Sequence, residues 1–320
     1  MKIVIVGSGL AGVTAAEALA KSGRHDVCLV TSETKGYYSR PRLSHGLALS
    51  EEAAAKIVLK RFDAFPAGVR VLADAEAWMI DREKRRLGLK SGEDVPYDAL
   101  VIATGSAARI PGGLLASRHE FMTLNSLDDL LTLRRRRAKV RGRSARPRWA
   151  VIGGGLIGCE VASDLHKAGD AVTIFHREAR LVELQLSESQ SAALHDHFAA
   201  RGIEVRYHQD LNELPRPYDG VIVATGFAAR VALAKEAGLA TARGIVVDDW
   251  LRTGDPHIYA VGDAAEVGSR LYAFVSPIRS QALWLADHLE GRARSAWSPP
   301  PFNPVIKIHD FKLATPAPVT

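Results

Sequence analysis

At 320 residues, with hydrophobic side chains at 47% and charged ones at 24%, the chain has a globular composition and length for two domains with separate cores. That balance excludes a disordered or fibrous chain, and no apolar run nears the roughly 20 residues that cross a bilayer, so a cytoplasmic protein is expected. The net charge of +6 favours acidic partners.

Residues 3–6 read as a buried strand that runs into Gly7-Ser-Gly9-Leu10-Ala11-Gly12, and residues 13–20 as the helix that follows. In such a turn the first glycine permits the bend, the second lets backbone N–H groups approach a pyrophosphate, and the third lets helix and strand pack closely. The helix N-terminus then stabilises the phosphate charge. One such pattern alone is weak, because glycine-rich turns are common. A second strand follows at Asp26–Val30, and Glu33 stands about 20 residues past the third glycine, where an acid receives a ribose hydroxyl. Residues 36–46 form a loop that carries Tyr38-Ser-Arg40-Pro41-Arg-Leu-Ser-His45. Short strands are expected at Val69–Leu72, 75–81 and 86–90, and the buried strand 97–105 ends Ala103-Thr104-Gly105.

A helix is expected from near Ser126, with Asp128 and Asp129 in its first turn suiting the helix dipole. Its basic continuation holds Arg134, Arg135, Arg136, Arg137, Lys139, Arg141, Arg143, Arg146 and Arg148. This run reads either as a solvated helix end and linker or as a docking face for an acidic protein. Residues 149–158 then repeat strand and turn with Gly153, Gly155, Leu156, Ile157 and Gly158, and a helix-like run begins at Cys159. The strand at 171–175 leads to His176 and Arg177, with Arg180 close behind; cations there suit a 2′-phosphate and tilt the choice slightly toward NADPH, although the triple-glycine form argues for NADH. Residues 218–226 repeat the Tyr-Asp…Ala224-Thr225-Gly226 ending of the first half, so the whole unit is duplicated. A strand at 244–248, the run Ile258-Tyr-Ala-Val-Gly262-Asp263, a helix after Pro277 and a strand-like piece at 305–308 complete the chain. Two dinucleotide units imply a flavin at the first and a nicotinamide at the second. Cys28 and Cys159 form no C-x-x-C pair and read as buried structural thiols. No metal constellation is visible, and His195 and His197 read as solvated residues on different sides of a helix.

Both glycine units, both Ala-Thr-Gly strands and the Gly262-Asp263 run make the chain resemble, over residues 1 to about 290, the two-dinucleotide FAD/NAD(P)H oxidoreductases, a pyridine nucleotide-disulfide oxidoreductase-like family. The resemblance implies an α/β fold of two Rossmann-like, three-layer ββα dinucleotide-binding domains. A discontinuous FAD domain, 1–113 and 249–300, would hold the NAD(P)H domain, 114–248, as an insertion. Residues 301–320 would be the remnant or start of a C-terminal interface domain that is otherwise missing. On this resemblance Gly7, Gly9, Leu10, Ala11, Gly12, Glu33 and Ala103 to Gly105 hold FAD, Asp263 beside Gly262 meets its ribityl chain, and the helix after Pro277 points at the flavin. Gly153, Gly155 to Gly158, His176, Arg177, Arg180 and Ala224 to Gly226 would hold the nicotinamide cofactor. Arg40 and Pro41 would shape the flavin face, and Glu160 would sit beside the nicotinamide. His45 either contacts Glu160 or is a polar loop histidine.

Members that cycle a redox cysteine carry it where His45 stands, so electrons here are expected to pass directly from flavin to acceptor. The loop pattern, Leu124-Asn-Ser126 and Gly155-Leu-Ile-Gly-Cys-Glu160 look most like rubredoxin and flavorubredoxin reductases. An NAD(P)H reductase feeding an acidic rubredoxin- or ferredoxin-type protein, docked at Arg134 to Arg148, is therefore expected. The alternatives are a diaphorase- or nitrite-reductase-type subunit with another acceptor, and an apoptosis-inducing-factor-like flavoprotein whose redox state controls binding. Arginines without interleaved aromatics argue against nucleic acid.

Overall fold

The computed structural model describes residues 1–301 and 305–312. Among them lie seven α-helices: α1 (Leu10–Ala20), α2 (Glu51–Ala55), α3 (Leu127–Arg141), α4 (Leu156–Lys167), α5 (Glu188–Ala199), α6 (Ala232–Glu236) and α7 (Val275–Leu289). The chain divides into two compact units. The first is Met1–Ser39, Val58–Ala107 and Ala228–Phe302, and the second is Arg40–Ile57, Ala108–Phe227 and Asn303–Thr320.

In the first unit a five-stranded parallel sheet runs in the order Ile258–Ala260, Ala99–Ile102, Lys2–Val6, Asp26–Val30, Val69–Leu72. Parallel strands covered on both faces must be apolar on both faces, which is why residues 3–6 and 99–102 are unbroken apolar runs, fully buried at Ile3, Ile5, Leu100 and Ile102. Helices α1 and α7 pack against each other beside this sheet. The second unit repeats the plan with a parallel sheet in the order Glu204–Arg206, Ala171–Phe175, Arg148–Ile152, Gly220–Val223, and Met122 bridges Ile222 at its edge. In both sheets the glycine-turn strand is internal, flanked by the next strand on one side and the Ala-Thr-Gly strand on the other.

The helix starts differ in a way that matters for the site. Helix α3 opens with a full capping box, Ser126 with Asp129, and α5 with another, Ser187 with Gln190. Helices α1 and α4 open at Gly9 and Gly155 with no side-chain cap at all. Two expectations shift on the structure. Helix α7 begins at Val275, so Pro277 sits inside its first turn, where a missing N–H has no intrahelical acceptor to lose. Residues 305–308 form no strand, since they pair with no other strand among the described residues.

The second unit is anchored on a buried charge. Asp170, fully buried, accepts from the Trp149 indole at 3.1 Å, from Arg137 and, at 3.3 Å, pairs with Arg141; Trp149 is itself fully buried and fits only because a Cβ at Gly220 would lie 2.1 Å from its ring. Removing Asp170 takes the acceptor from the buried Trp149 indole N–H and the counter-charge from the largely buried Arg137. Asp170→Ala is therefore expected to lower the free energy of unfolding by about 3–5 kcal/mol, read by urea titration, whereas an exposed pair such as Lys56–Glu52 should change it by less than ~1 kcal/mol on Lys56→Ala.

Candidate functional site

The two glycine turns are built with the same bonds. Gly7 N–H donates to Val30 O at 2.8 Å and Gly153 N–H to Phe175 O at 2.8 Å, and both glycines have positive φ, 111° and 112°. A Cβ on Gly7 would lie 2.2 Å from Ala103 O, and one on Gly153 would lie 2.3 Å from Ala224 O. A Cβ on Gly12 would meet Gly7 O at 1.9 Å, and one on Gly158 would meet Gly153 O at 1.9 Å. At Gly9 and Gly155, by contrast, a Cβ would meet nothing within 4 Å. The outer glycines thus bring helix onto strand, and the middle ones front open space at an uncapped helix start, where the N–H groups of Leu10 and Ala11, and of Leu156 and Ile157, have no intrahelical acceptor. That cradle suits a diphosphate.

The Ala-Thr-Gly segments duplicate as well. Thr104 Oγ1 donates to Arg230 O at 2.9 Å while Gly105 O accepts from Arg230 N–H at 2.9 Å; Thr225 Oγ1 donates to Arg109 O at 2.6 Å while Gly226 O accepts from Arg109 N–H at 3.0 Å. Elsewhere in the first unit, the Tyr38 hydroxyl donates to Glu33 at 2.6 Å at the end of the second strand, and Ser106 donates to Asp263 at 2.7 Å. Gly262 at φ 75° would place a Cβ 3.1 Å from that of Ala11, so the Gly262-Asp263 turn lies against the glycine turn. Its N–H donates at 2.7 Å to Gln281 Oε1 on α7, and the Gln281 Nε2, fully buried, has no protein partner among the described residues. An orphaned buried donor beside the turn fits a polar ligand there. FAD fits these residues: an open cradle at an uncapped helix start, a carboxylate past the second strand, the Gly262-Asp263 turn and an unmet buried amide. Gln281 and Ser106 received no role from the sequence, since each lies outside the glycine and Gly-Asp patterns.

In the second unit the loop at Arg40–His45 is a 3₁₀ turn. Arg40 is drawn to Asn125 O, and the exposed Pro41 accepts at its carbonyl from Lys307 Nζ at 3.0 Å. Glu160 on α4 is buried. Its partner in the loop is Ser44, whose hydroxyl donates at 2.5 Å; His45 reaches it only through that hydroxyl, 3.2 Å from its Nδ1. Burial holds the His45 imidazole below its usual value, against the pull of Glu160 and Asp164.

Past the strand Ala171–Phe175 the three expected phosphate cations are largely committed elsewhere. His176 is buried, accepts from Gly154 N–H at 3.0 Å on Nδ1, and turns Nε2 to Arg180 O at 3.0 Å and Glu183 at 3.1 Å. Arg180 donates to Leu186 O, to Ser191 Oγ at 3.0 Å and to Glu183 O at 2.8 Å. Arg177 is exposed and sits beside Glu178 at 2.8 Å. Burial pushes the Glu183 carboxyl up, but the His176 hydrogen bond and Arg180 bring it below the usual range, so it is ionised.

The basic run is likewise partly structural. Arg134 donates to Leu49 O at 2.9 Å and pairs with Glu51, Arg137 and Arg141 hold Asp170, and Arg148 lies over the Tyr218 ring at 5.4 Å. Arg135, Arg136, Lys139, Arg143 and Arg146 remain exposed. His195 and His197 are not simply solvated, because the Tyr207 hydroxyl lies 3.0 Å from the first and His309 O 3.1 Å from the second. Cys28 and Cys159 are buried and unpaired, and burial pushes both thiols up. No group of His, Cys, Asp and Glu among the described residues is arranged to hold a metal, and no helix there is long and apolar enough to cross a membrane.

Residues 1–282 match the pyridine nucleotide-disulphide oxidoreductase family. The chain is 32% identical over 306 residues to the nitric oxide reductase FlRd-NAD(+) reductase of Salmonella gallinarum, an alignment covering 90% of this chain and 79% of that one. Among solved structures it is similar to a chain of the covalent putidaredoxin reductase–putidaredoxin complex, at 30% identity and TM-score 0.83, covering 95% of this chain and 79% of the other. It is also similar to NADH:rubredoxin oxidoreductase from Clostridium acetobutylicum, at 27% identity and TM-score 0.82, covering 97% and 80%.

Two outcomes follow from the geometry. Gly12→Ala is expected to purify without flavin colour, while Gly158→Ala retains flavin and loses dinucleotide binding, both read by absorbance and equilibrium dialysis. With both thiols buried and held protonated, the folded protein at pH 8 should react with DTNB at fewer than one thiol, and at two in guanidinium.

Proposed function

The chain belongs to the pyridine nucleotide-disulphide oxidoreductase family, and on that premise we propose that it is an FAD-dependent NAD(P)H reductase passing electrons to a small iron protein of rubredoxin or ferredoxin type. The observation that carries this is the duplicated, uncapped glycine turn in a chain whose cysteines are buried and unpaired. Bound FAD supplies the conversion of a two-electron donor into one-electron delivery. The residues bind and orient. Backbone N–H groups at Leu10 and Ala11 would hold the diphosphate, Glu33 the ribose, and the Gly262-Asp263 turn the ribityl chain. In the second unit the turn at Gly155 would take the second diphosphate and Glu160 would serve the nicotinamide, while Arg40 and Pro41 would, on the resemblance alone, shape the flavin face. Hydride transfer gains mostly from such positioning, which supports the absence of an acid or base relay in this reading.

We infer NADH as the donor. A 2′-phosphate needs an uncommitted cation at the end of Ala171–Phe175; there Arg180 has three protein acceptors, His176 already accepts a hydrogen bond from Gly154, and the exposed Arg177 pairs with Glu178. The relatives named for NAD(+) and NADH support the same choice. The slight tilt to NADPH drawn from residue types is not carried by this geometry. For the acceptor, the exposed Arg135, Arg136, Lys139, Arg143 and Arg146 offer an acidic partner a docking face, and the reductases of flavorubredoxin, putidaredoxin and rubredoxin support an iron protein as that partner.

Anaerobic mixing of the FAD-loaded chain with each nucleotide tests this. NADH should bleach the flavin at least about tenfold faster than NADPH at equal concentration, a barrier difference of ~1.4 kcal/mol. Bleaching by neither would remove the reductase reading, and faster bleaching by NADPH would reverse the donor alone. The NADH-reduced flavin should then be reoxidised by rubredoxins or ferredoxins; reoxidation by ferricyanide only would remove the iron-protein partner.

A further inference from the structure

Glu160 is 7% exposed and has no cationic partner among the described residues. Neutral donors hold it instead: the Ser44 hydroxyl on Oε2 at 2.5 Å and the Lys307 backbone N–H on Oε1 at 3.1 Å. A desolvated carboxylate held this way keeps its place only while both donors keep theirs. The neighbouring His45 does not supply the missing cation, since burial disfavours its charged form.

One of the two donors comes from residues 305–312, which lie outside every helix and strand, so that segment must itself be fixed. Five bonds and two ring contacts fix it within the second unit, among them Lys167 Nζ 3.3 Å from His309 Nδ1 and the His45 and His309 rings 5.1 Å apart. Lys307 Nζ donates to Pro41 O at 3.0 Å, His309 N–H donates to Ser163 Oγ at 3.0 Å, and His309 Nε2 lies 2.9 Å from Asp164 Oδ1. His197 Nε2 lies 3.1 Å from His309 O, and the rings of His197 and Phe311 stand 5.0 Å apart. Asp164 is a firm anchor: it is fully buried, and its other oxygen accepts from Leu47 N–H at 2.7 Å and Ala48 N–H at 3.0 Å. Glu160 and Asp164 are four residues apart on α4, so they share one helix face, and the strap crosses both.

We propose that residues 305–312 are a strap that positions Glu160 for the nicotinamide, and that His309, clasped to Asp164, is its positioning residue. This rests on the reading of Glu160 as the group beside the nicotinamide in an NAD(P)H reductase. The Lys307 amide presents the donor, and the His309 imidazole keeps the amide there.

The test uses the FAD-loaded full chain and two readouts, hydrogen exchange at the Lys307 amide and anaerobic flavin bleaching by NADH. In His309→Ala the Lys307 amide should lose its protection and bleaching should slow by about tenfold or more, since a misplacement of ~1 Å can cost far more than the lost bond itself. FAD content should stay that of the wild type. His309→Gln keeps a side-chain N–H for Asp164 and should restore both readouts to within about twofold. Ser163→Ala, which removes only the acceptor of the His309 N–H, should move both in the same direction and keeps the test open if His309→Ala does not fold. A deprotected Lys307 amide with bleaching at the wild-type rate overturns the proposal, and so does unchanged protection in His309→Ala. A wild-type flavin that neither nucleotide bleaches removes the parent reading, an outcome separate from any difference between variants.

Discussion

The approach of a helix to the strand before it, close enough that a single methyl group would collide with backbone, is the constraint on which each unit depends. Gly12 over the Gly7 carbonyl and Gly158 over the Gly153 carbonyl set it in the two copies, each at a distance of 1.9 Å for a hypothetical Cβ. Beside that contact stand the bend at the first glycine and the lodging of the Ala-Thr-Gly strand against it, close enough that a Cβ there would strike the strand's carbonyl. Dispersion and hydrophobic burial fill in the rest of each core, but they would do so equally for a helix set further out. Only the close approach brings backbone N–H groups to one edge of a parallel sheet with open space before them.

Charge plays a second, more local part. A chain with an excess of +6 is easily pictured as a basic surface, yet several of its arginines are turned inward to tasks of architecture. Arg137 and Arg141 neutralise the buried Asp170, Arg134 closes the Arg40–Ile57 segment onto α3, and Arg180 satisfies carbonyls in a bend. Arginine suits this work because its planar fork meets two or three acceptors at once and stays charged while doing so.

The fold was largely legible from residue order because its signals are local. Residues 3–12 and 149–158 announce strand, bend and helix within ten positions, and the repeat of Tyr-Asp…Ala-Thr-Gly announces the pairing strand. The site was legible only where backbone does the binding. Side-chain partnerships that join distant positions were not: Ser44 with Glu160 spans 116 residues, and Lys307 with Glu160 spans 147. His176, Arg177 and Arg180 show the opposite hazard, since their types suited a phosphate and nothing local revealed that Gly154, Leu186 and Ser191 would engage two of the three. Gln281 is silent in the sequence for the same reason, as its partner Gly262 lies 19 residues back, across a turn.

The contrast among helix starts carries a consequence for folding. Helices α3 and α5 finish their own first turns with Ser126 and Ser187, whereas α1 and α4 leave theirs to whatever anion arrives. A dinucleotide is then the terminal residue that the chain does not encode, and its supply enters the folding equilibrium directly. A hundredfold excess over its dissociation constant adds about 2.7 kcal/mol of stability, comparable to removing or restoring several side-chain caps. The protein's lifetime in solution becomes a gauge of how much free cofactor surrounds it.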